Sequence, residues 1–163
     1  MSARELNENL PTVFTEEQVN FLLQRTPEKA IRQRKGRGGK MLTYITQQYV
    51  TRLLNKVFGF NWDFDVLWEQ IGKREVIVKG RLTVRANDIE ISKTQFGGAE
   101  IKRYKENGQP LSVADDLKAA ASDALKKCAS LLGIGLDLYD EGAAEEIEEV
   151  DYEVVGSGEG EPF

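Results

Sequence analysis

The clearest pattern of hydrophobic and polar positions lies in residues 111–140, where it predicts one long helix. Ser112 is placed to cap its beginning, and Gly133 is placed to end it. On a wheel of 3.6 residues per turn, small and apolar side chains fall within about 60° of Leu117. They are Val113, Ala120, Ala121, Ala124, Cys128, Leu131 and Leu132. The alanines predict close packing against another backbone, and Lys126 and Lys127 lie off this face.

The first third of the chain predicts shorter helices. Thr15 begins TEEQ, a capping-box pattern followed by apolar residues at helical spacing, and Thr26-Pro27-Glu28 opens a second short helix. Residues 41–59 start like a strand and continue as an amphipathic helix that ends at Gly59.

Residues 62–91 alternate with the period of two that is typical of strands. Apolar positions in the first strand include Trp62 and Trp68, which this alternation places together on the core face. The second strand, residues 76–86, has one apolar face and one mostly basic face. The third begins at Ile89, and turns are predicted at Gly72-Lys73 and Asn87-Asp88.

Taken in order, these elements predict an α+β fold. Short N-terminal helices precede an antiparallel β-meander, and the long helix covers its apolar face. We expect a flexible N-terminal arm at residues 1–14, one domain at 15–140 and a disordered, Glu- and Gly-rich acidic tail at 141–163.

The charge distribution is asymmetric. The net charge of the 163 residues is −5. Residues 137–163 hold eleven Asp or Glu and no Lys or Arg, so residues 1–136 alone have a net charge of +6. A basic body joined to an acidic segment indicates a body that binds polyanions, with its own tail as a competitor.

Several function classes are disfavoured by composition. The chain has no histidine, which removes Ser-His and Cys-His pairs and His-ligated metals. Its single cysteine, Cys128, excludes an intrachain disulfide and favours a reducing compartment. No apolar run has the length of a membrane span, and the first residues do not resemble a signal peptide.

Residues 32–40, RQRKGRGGK, contain five cations and three glycines. They are interpreted as a loop, either solvated or contacting phosphates through Arg34, Lys35, Arg37 and Lys40. The P-loop pattern is absent because Met41 follows Gly39-Lys40. The basic face of the second strand, with Lys79, Arg81 and Arg85, is either a solvent face or, together with Lys102, a secondary DNA contact.

Four segments in this order resemble the Rad fifty-two superfamily of single-strand annealing proteins, in its phage Sak-like and bacterial DdrA-like branch. They are YI at 44–45, VTRLLNKVFGFNW at 50–62, the meander with GRLTV at 80–84, and LKAAASDALKKCASLLGIG at 117–135. The resemblance covers roughly residues 21–139. It implies a β-β-β-α core that assembles into a homo-oligomeric ring in the cytoplasm of a bacterial or phage-infected cell.

The resemblance also implies a function in recombination and repair. A basic groove would hold single-stranded DNA so that a complementary strand can anneal without nucleotide hydrolysis. Arg34, Tyr44, Lys126 and Lys127 correspond to groove residues, whereas Ser130 stands where relatives often have arginine. No catalytic residue, metal or cofactor is implied, and the partners are single-stranded DNA, further copies of the chain, and a single-strand-binding protein or exonuclease.

Three alternatives stay open at this point. A metal-dependent nuclease would use Asp63 with Asp65, or Asp88 with Glu90. A protein-interaction module would act through the acidic tail, whose EGEPF ending resembles the acidic Pro-Phe tips of single-strand-binding proteins. A double-stranded RNA binder is the third. Trp62 and Trp68 are interpreted as core residues, and Tyr44 equally as a core or a base-stacking residue.

Overall fold

The structure, a computed structural model, describes residues 12–138, without the side chain of Arg37. The predicted acidic tail and residues 1–11 of the predicted arm lie outside this range. Within it the helices are α1 (Glu16–Leu23), α2 (Gln47–Phe58) and α3 (Val113–Ser130). The strands are β1 (Ile31–Lys35), β2 (Met41–Ile45), β3 (Trp62–Ile71), β4 (Glu75–Ala86) and β5 (Ile89–Glu100). The predicted α+β class is confirmed.

Helix α1 begins with the predicted capping box. The Thr15 hydroxyl accepts the Gln18 N–H, and the Gln18 side chain accepts the Thr15 N–H in return. These bonds pair two backbone donors that the first helical turn cannot satisfy. Just before the helix, Phe14 packs edge-on against Phe58 of α2, with ring centroids 5.6 Å apart.

Residues 31–45 form a β-hairpin, in which β2 confirms the strand predicted at the start of residues 41–59 and β1 replaces the predicted short helix and loop. Only a 3-10 turn, Glu28–Ala30, follows Pro27, and β1 then pairs antiparallel with β2. A second 3-10 turn, Arg37–Gly39, joins the two strands, and Gly38 takes a φ of 69° that suits glycine. The basic residues before Gly36 therefore stand on a strand, where alternate side chains share one face.

Helix α2 follows the sequence prediction closely. The Thr46 hydroxyl caps it by accepting the Tyr49 N–H, and Gly59 ends it with a φ of 59°. Its buried side chains join the main core with those of the meander and α3. They are Val50, Leu53, Leu54, Val57 and Phe58.

Strands β3, β4 and β5 form the predicted antiparallel meander in the order β3-β4-β5. Asn87 and Asp88 make the second turn with φ values of 51° and 60°. The β3–β4 register shifts between Val66 and Trp68, which marks a β-bulge. Val66 lies opposite Gly80, but Trp68 lies opposite Lys79, so the bulge moves Trp68 to the polar face.

The predicted core position of Trp68 is therefore wrong, because the bulge inserts one residue into the alternation. Its side chain is 44% exposed. Trp62 lies before the bulge, packs against the core and donates its indole N–H to the Asn55 side chain. The prediction for Trp62 is confirmed.

Helix α3 packs directly on β4 and β5 through its small residues. A Cβ on Gly97 would overlap the backbone of Ala120 and Ala124, so glycine permits the closest approach. The Ser112 hydroxyl caps the helix by accepting the Asp115 N–H. Leu131, predicted on the apolar face, is 49% exposed because the helix ends one residue before it. In the described part of the chain, no helix is both long and apolar enough to cross a bilayer.

Candidate nucleic-acid interface

The β1–β2 hairpin and the end of α3 meet at a small cluster of cations around one aromatic ring. The Cζ atom of Arg34 lies 5.7 Å from the centre of the Tyr44 ring, and Nζ of Lys126 lies 5.4 Å from it. Both distances are within the range of cation–π attraction. We name this site the hairpin–helix groove and define it by Arg34, Tyr44 and Lys126.

The hairpin register explains why these residues meet. Arg32 pairs with Tyr44 and Arg34 pairs with Leu42, so these four side chains share one face of the hairpin. Tyr44 on this face contacts Lys126 of α3. The groove is therefore built from residues some eighty positions apart, which only the packing of the hairpin against the helix brings together.

Lys126 is half-buried beneath the hairpin. Burial lowers the pKa of its ammonium, and the positive charges of Arg34 and Lys127 lower it further, while Asp123 acts in the opposite sense. When a cation lies close to other cations, an anionic ligand lowers its electrostatic free energy more than it lowers that of an isolated cation. This electrostatic setting suits a phosphate group.

Lys127 differs from its neighbour because it is exposed and already paired. Its Nζ lies 3.1 Å from Oδ2 of Asp123, one helical turn earlier. The same carboxylate oxygen accepts the Gly98 N–H from β5 at 3.0 Å, which ties α3 to the sheet. Ser130 turns its hydroxyl back to the Lys127 carbonyl at 2.7 Å, where it closes the last helical turn.

The remaining predicted hairpin cations lie near the turn. Lys35 and Lys40 are exposed at the end of the hairpin, on either side of the Arg37–Gly39 turn. Arg32 and Leu42 were not among the predicted site residues, although both share a face with Arg34 and Tyr44. An alternation test applied to residues 31–35 and 41–45 would have detected that face, but the glycines favoured a loop.

The predicted secondary cations are not part of the groove. Lys79, Arg81 and Arg85 lie on the sheet face opposite α3, since their neighbours Val78, Leu82 and Val84 are the buried ones. Arg85 pairs with Asp63 at 2.7 Å and with Glu90 at 3.3 Å, and Arg81 lies 3.4 Å from Asp65. The carboxylates raise the pKa of Arg85, most strongly through the Asp63 hydrogen bond.

Lys102 lies near the other end of α3. Its backbone N–H donates to the buried carboxylate of Asp116, ten residues before Lys126. Ten residues of helix correspond to about 15 Å at a rise of 1.5 Å per residue. Lys102 is therefore held in a different region of the surface from the groove.

The outer sheet face also exposes an aromatic pair. Trp68 and Phe96 meet edge to face with ring centroids 6.4 Å apart, and Nζ of Lys79 lies 6.0 Å from the Phe96 ring. Their exposed fractions are 44% and 51%. These rings face away from α3 and so are separate from Tyr44.

Three of the four carboxylates considered for a nuclease are engaged with arginines. Asp63 and Asp65 pair with Arg85 and Arg81, and Glu90 also contacts Arg85. Across residues 12–138, no group of three acidic or cysteine side chains is arranged to hold a metal ion.

Known proteins with similar sequences indicate the family of this chain. Residues 15–155 match the family described as Rad52/22 family double-strand break repair protein. A single-stranded DNA-binding protein DdrA from Deinococcus deserti is 41% identical over 101 residues, which cover 61% of this chain and 42% of the relative. DdrA from Deinococcus radiodurans is 35% identical over 101 residues, covering 61% and 41%. The match thus spans about two fifths of each relative's length.

Proposed function

This chain belongs to the Rad52/22 family of double-strand break repair proteins, and on that premise we propose how it acts. It binds single-stranded DNA in the hairpin–helix groove and anneals complementary strands. It does so as a homo-oligomer, a ring in the arrangement that the resemblance implies, and without hydrolysing a nucleotide. The observation that supports this most directly is the approach of both Arg34 and Lys126 to the Tyr44 ring.

The side chains of the groove are better suited to binding single-stranded DNA than to recognising the base edges of duplex DNA. Guanidinium and ammonium groups bind phosphate oxygens, whereas a partly exposed aromatic ring offers a surface for a sugar or an unstacked base. Annealing requires a protein that holds the backbone and leaves base edges free to pair. The groove offers two such cations and one ring, with Lys35 and Lys40 further along the hairpin.

Self-association follows from the small size of one groove. Three residues contact only a few nucleotides, and each phosphate contact contributes modest, salt-sensitive free energy. Repeated copies arranged side by side would hold a long strand through the sum of such contacts. The two DdrA relatives are single-stranded DNA-binding proteins by name, which supports the ligand proposed for this chain.

The proposal is tested with a dye-labelled oligothymidine and a series of salt concentrations. Fluorescence anisotropy should show binding that weakens linearly on a log–log plot, with a slope of about −0.7 for each phosphate contacted. Matched experiments with Mg²⁺ measure strand integrity. Absence of binding at low salt would contradict the proposal, and Mg²⁺-dependent shortening of the strand would favour the nuclease alternative.

A further inference from the structure

We propose that the acidic segment of this chain, residues 139–163, occupies the hairpin–helix groove when no DNA is present, and that DNA must displace it. The inference rests on the proposed function, because the groove is the same site. The groove then has a second ligand, which is part of the chain itself and competes with DNA for the same residues.

Charge complementarity is the first support. Residues 139–163 contain ten Asp or Glu and no Lys or Arg, and eight of the ten fall within residues 140–153. The local density of negative charge approaches that of a nucleic-acid backbone. A groove that attracts phosphates therefore attracts this segment by the same electrostatic force.

Within residues 12–138, neither groove cation is held in an ion pair, although the Asp123 carboxylate acts on the charge of Lys126. Lys127 and Lys118 of the same helix do form ion pairs. The two groove cations instead share the Tyr44 ring. Their mutual repulsion is relieved by any flexible polyanion that reaches them.

The described fold ends close to the residue that ends β2. An added Cβ on Gly135 would lie 2.6 Å from Cδ1 of Ile45, the residue after Tyr44. Leu138, the last described residue, packs against the same core cluster as Ile45. The exit point is therefore next to the base of β2.

A second contact fixes the exit point to the β1 side. The Asp137 carboxylate accepts the Thr26 N–H at 3.0 Å and the Thr26 hydroxyl at 2.6 Å. Thr26 is buried and lies five residues before Ile31, where β1 begins. Asp137 is thus held to the segment that leads into β1, two residues before the acidic segment begins.

The length of the segment permits the contact. Its acidic part ends about fifteen residues beyond Leu138, and an extended chain spans about 3.3 Å per residue, or some 50 Å. A short tether of this kind gives an effective concentration in the millimolar range. Weak binding of the segment is then sufficient to keep the groove occupied.

Zero-length crosslinking of the full chain tests the contact directly. A carbodiimide joins carboxylates to amines that touch, and mass spectrometry maps the linked pairs. We expect links from residues 140–153 to Lys126, the lysine of the groove, and their loss when oligothymidine is added. Lys118 serves as the control because it is exposed on the same helix and away from the hairpin. Links concentrated on Lys118, or groove links that DNA does not remove, would overturn the proposal.

DNA affinity shows whether the acidic segment competes with DNA for the groove. A full-length variant with the ten acids of 139–163 changed to Asn or Gln keeps Asp137, which holds Thr26. It should bind oligothymidine about tenfold more tightly at low salt, with the gain shrinking as salt screens the segment. A second variant with the order of residues 139–163 shuffled keeps the charge and should bind like the natural chain.

The outcomes separate the two proposals. Equal affinity of the natural and neutralised chains, with DNA bound by both, would overturn the competition and leave the proposed function intact. Failure of both chains to bind DNA would overturn the proposed function, and the competition with it. A gain in affinity without crosslinks to the groove would indicate a general charge effect and would also overturn the proposal.

Discussion

At the residue scale, Lys126 and Lys127 are adjacent in sequence but differ in their surroundings. Lys126 is half-buried against Tyr44, and Lys127 is exposed and paired with Asp123. Changing both to Ala should cost about 1–3 kcal/mol of DNA-binding free energy and reduce the salt slope, because phosphate contacts are lost. Anisotropy titrations of the two single variants should assign the larger share to Lys126.

Lys118→Ala is the matched control for these variants. It removes a lysine of the same helix whose partner, Asp115, is equally exposed. Its DNA affinity and salt slope should equal those of the natural chain. A Lys126→Ala variant that binds as tightly as this control would indicate that Lys126 is only a solvated side chain.

The lowered pKa of Lys126 predicts a pH dependence of DNA binding. A bound phosphate restores the charged form, so the pKa is higher in the complex than in the free protein and binding takes up protons. Affinity should therefore fall as the pH rises toward the lysine's free pKa, earlier than for an unperturbed lysine. Lys126→Arg does not titrate in this range and should remove that loss. An equal decline in both proteins, measured by anisotropy across alkaline pH, would contradict this assignment.

At the element scale, the hairpin is the main feature that sequence reasoning missed. Three glycines and five cations in residues 32–40 favoured a loop, because local composition dominates such an interpretation. The strand is instead set by pairing with β2, a contact between residues that the pattern treated separately. This error concealed the face that Arg32 and Leu42 share with Arg34 and Tyr44.

The bulge in β3 explains the second error. Periodicity assigns Trp62 and Trp68 to one face, and a single extra residue between Val66 and Trp68 reverses the assignment for the second half of the strand. No residue of the bulge is glycine or proline, so the sequence held no local sign of it.

The close approach of α3 to β5 gives a stability prediction. Gly97→Ala forces a methyl group against the α3 backbone and should destabilise the fold by about 1–3 kcal/mol, as overpacking does. Gly98→Ala is the control, because the nearest atom to its added Cβ is the Val76 carbonyl oxygen at 3.5 Å. Thermal or urea unfolding should separate the two variants. Equal stability would show that the helix can shift away from the sheet without cost.

At the scale of the whole molecule, the sequence predicted the long periodic helices and strands. It did not predict the contacts between residues that are far apart in the chain. The meander, α2 and α3 with their caps at Ser112 and Gly59 follow from local rules, and the structure confirms them. The composition of residues 32–40 indicated Arg34, but the grouping of Arg34 with Tyr44 and Lys126 came from the family resemblance. Their assembly around one ring depends on tertiary packing that no local pattern encodes.

Self-association is predicted at the same scale. A single groove is too small to hold a long strand, so the protein should be a multimer at micromolar concentration, with or without oligothymidine. Native mass spectrometry or mass photometry measures this directly. A monomer under both conditions would exclude the cooperative arrangement proposed for annealing.

The claim that the hairpin–helix groove anneals DNA is tested most directly by the annealing rate of two complementary, dye-labelled oligonucleotides. Energy transfer between the dyes measures this rate in the absence of any nucleotide. The natural chain should accelerate annealing. The Arg34→Ala/Lys126→Ala variant should lose most of that acceleration, because it lacks both cations of the groove. The Lys118→Ala variant keeps both cations and should retain the acceleration. An acceleration that requires ATP, or one that the groove variant preserves in full, would contradict the assignment of annealing to the hairpin–helix groove.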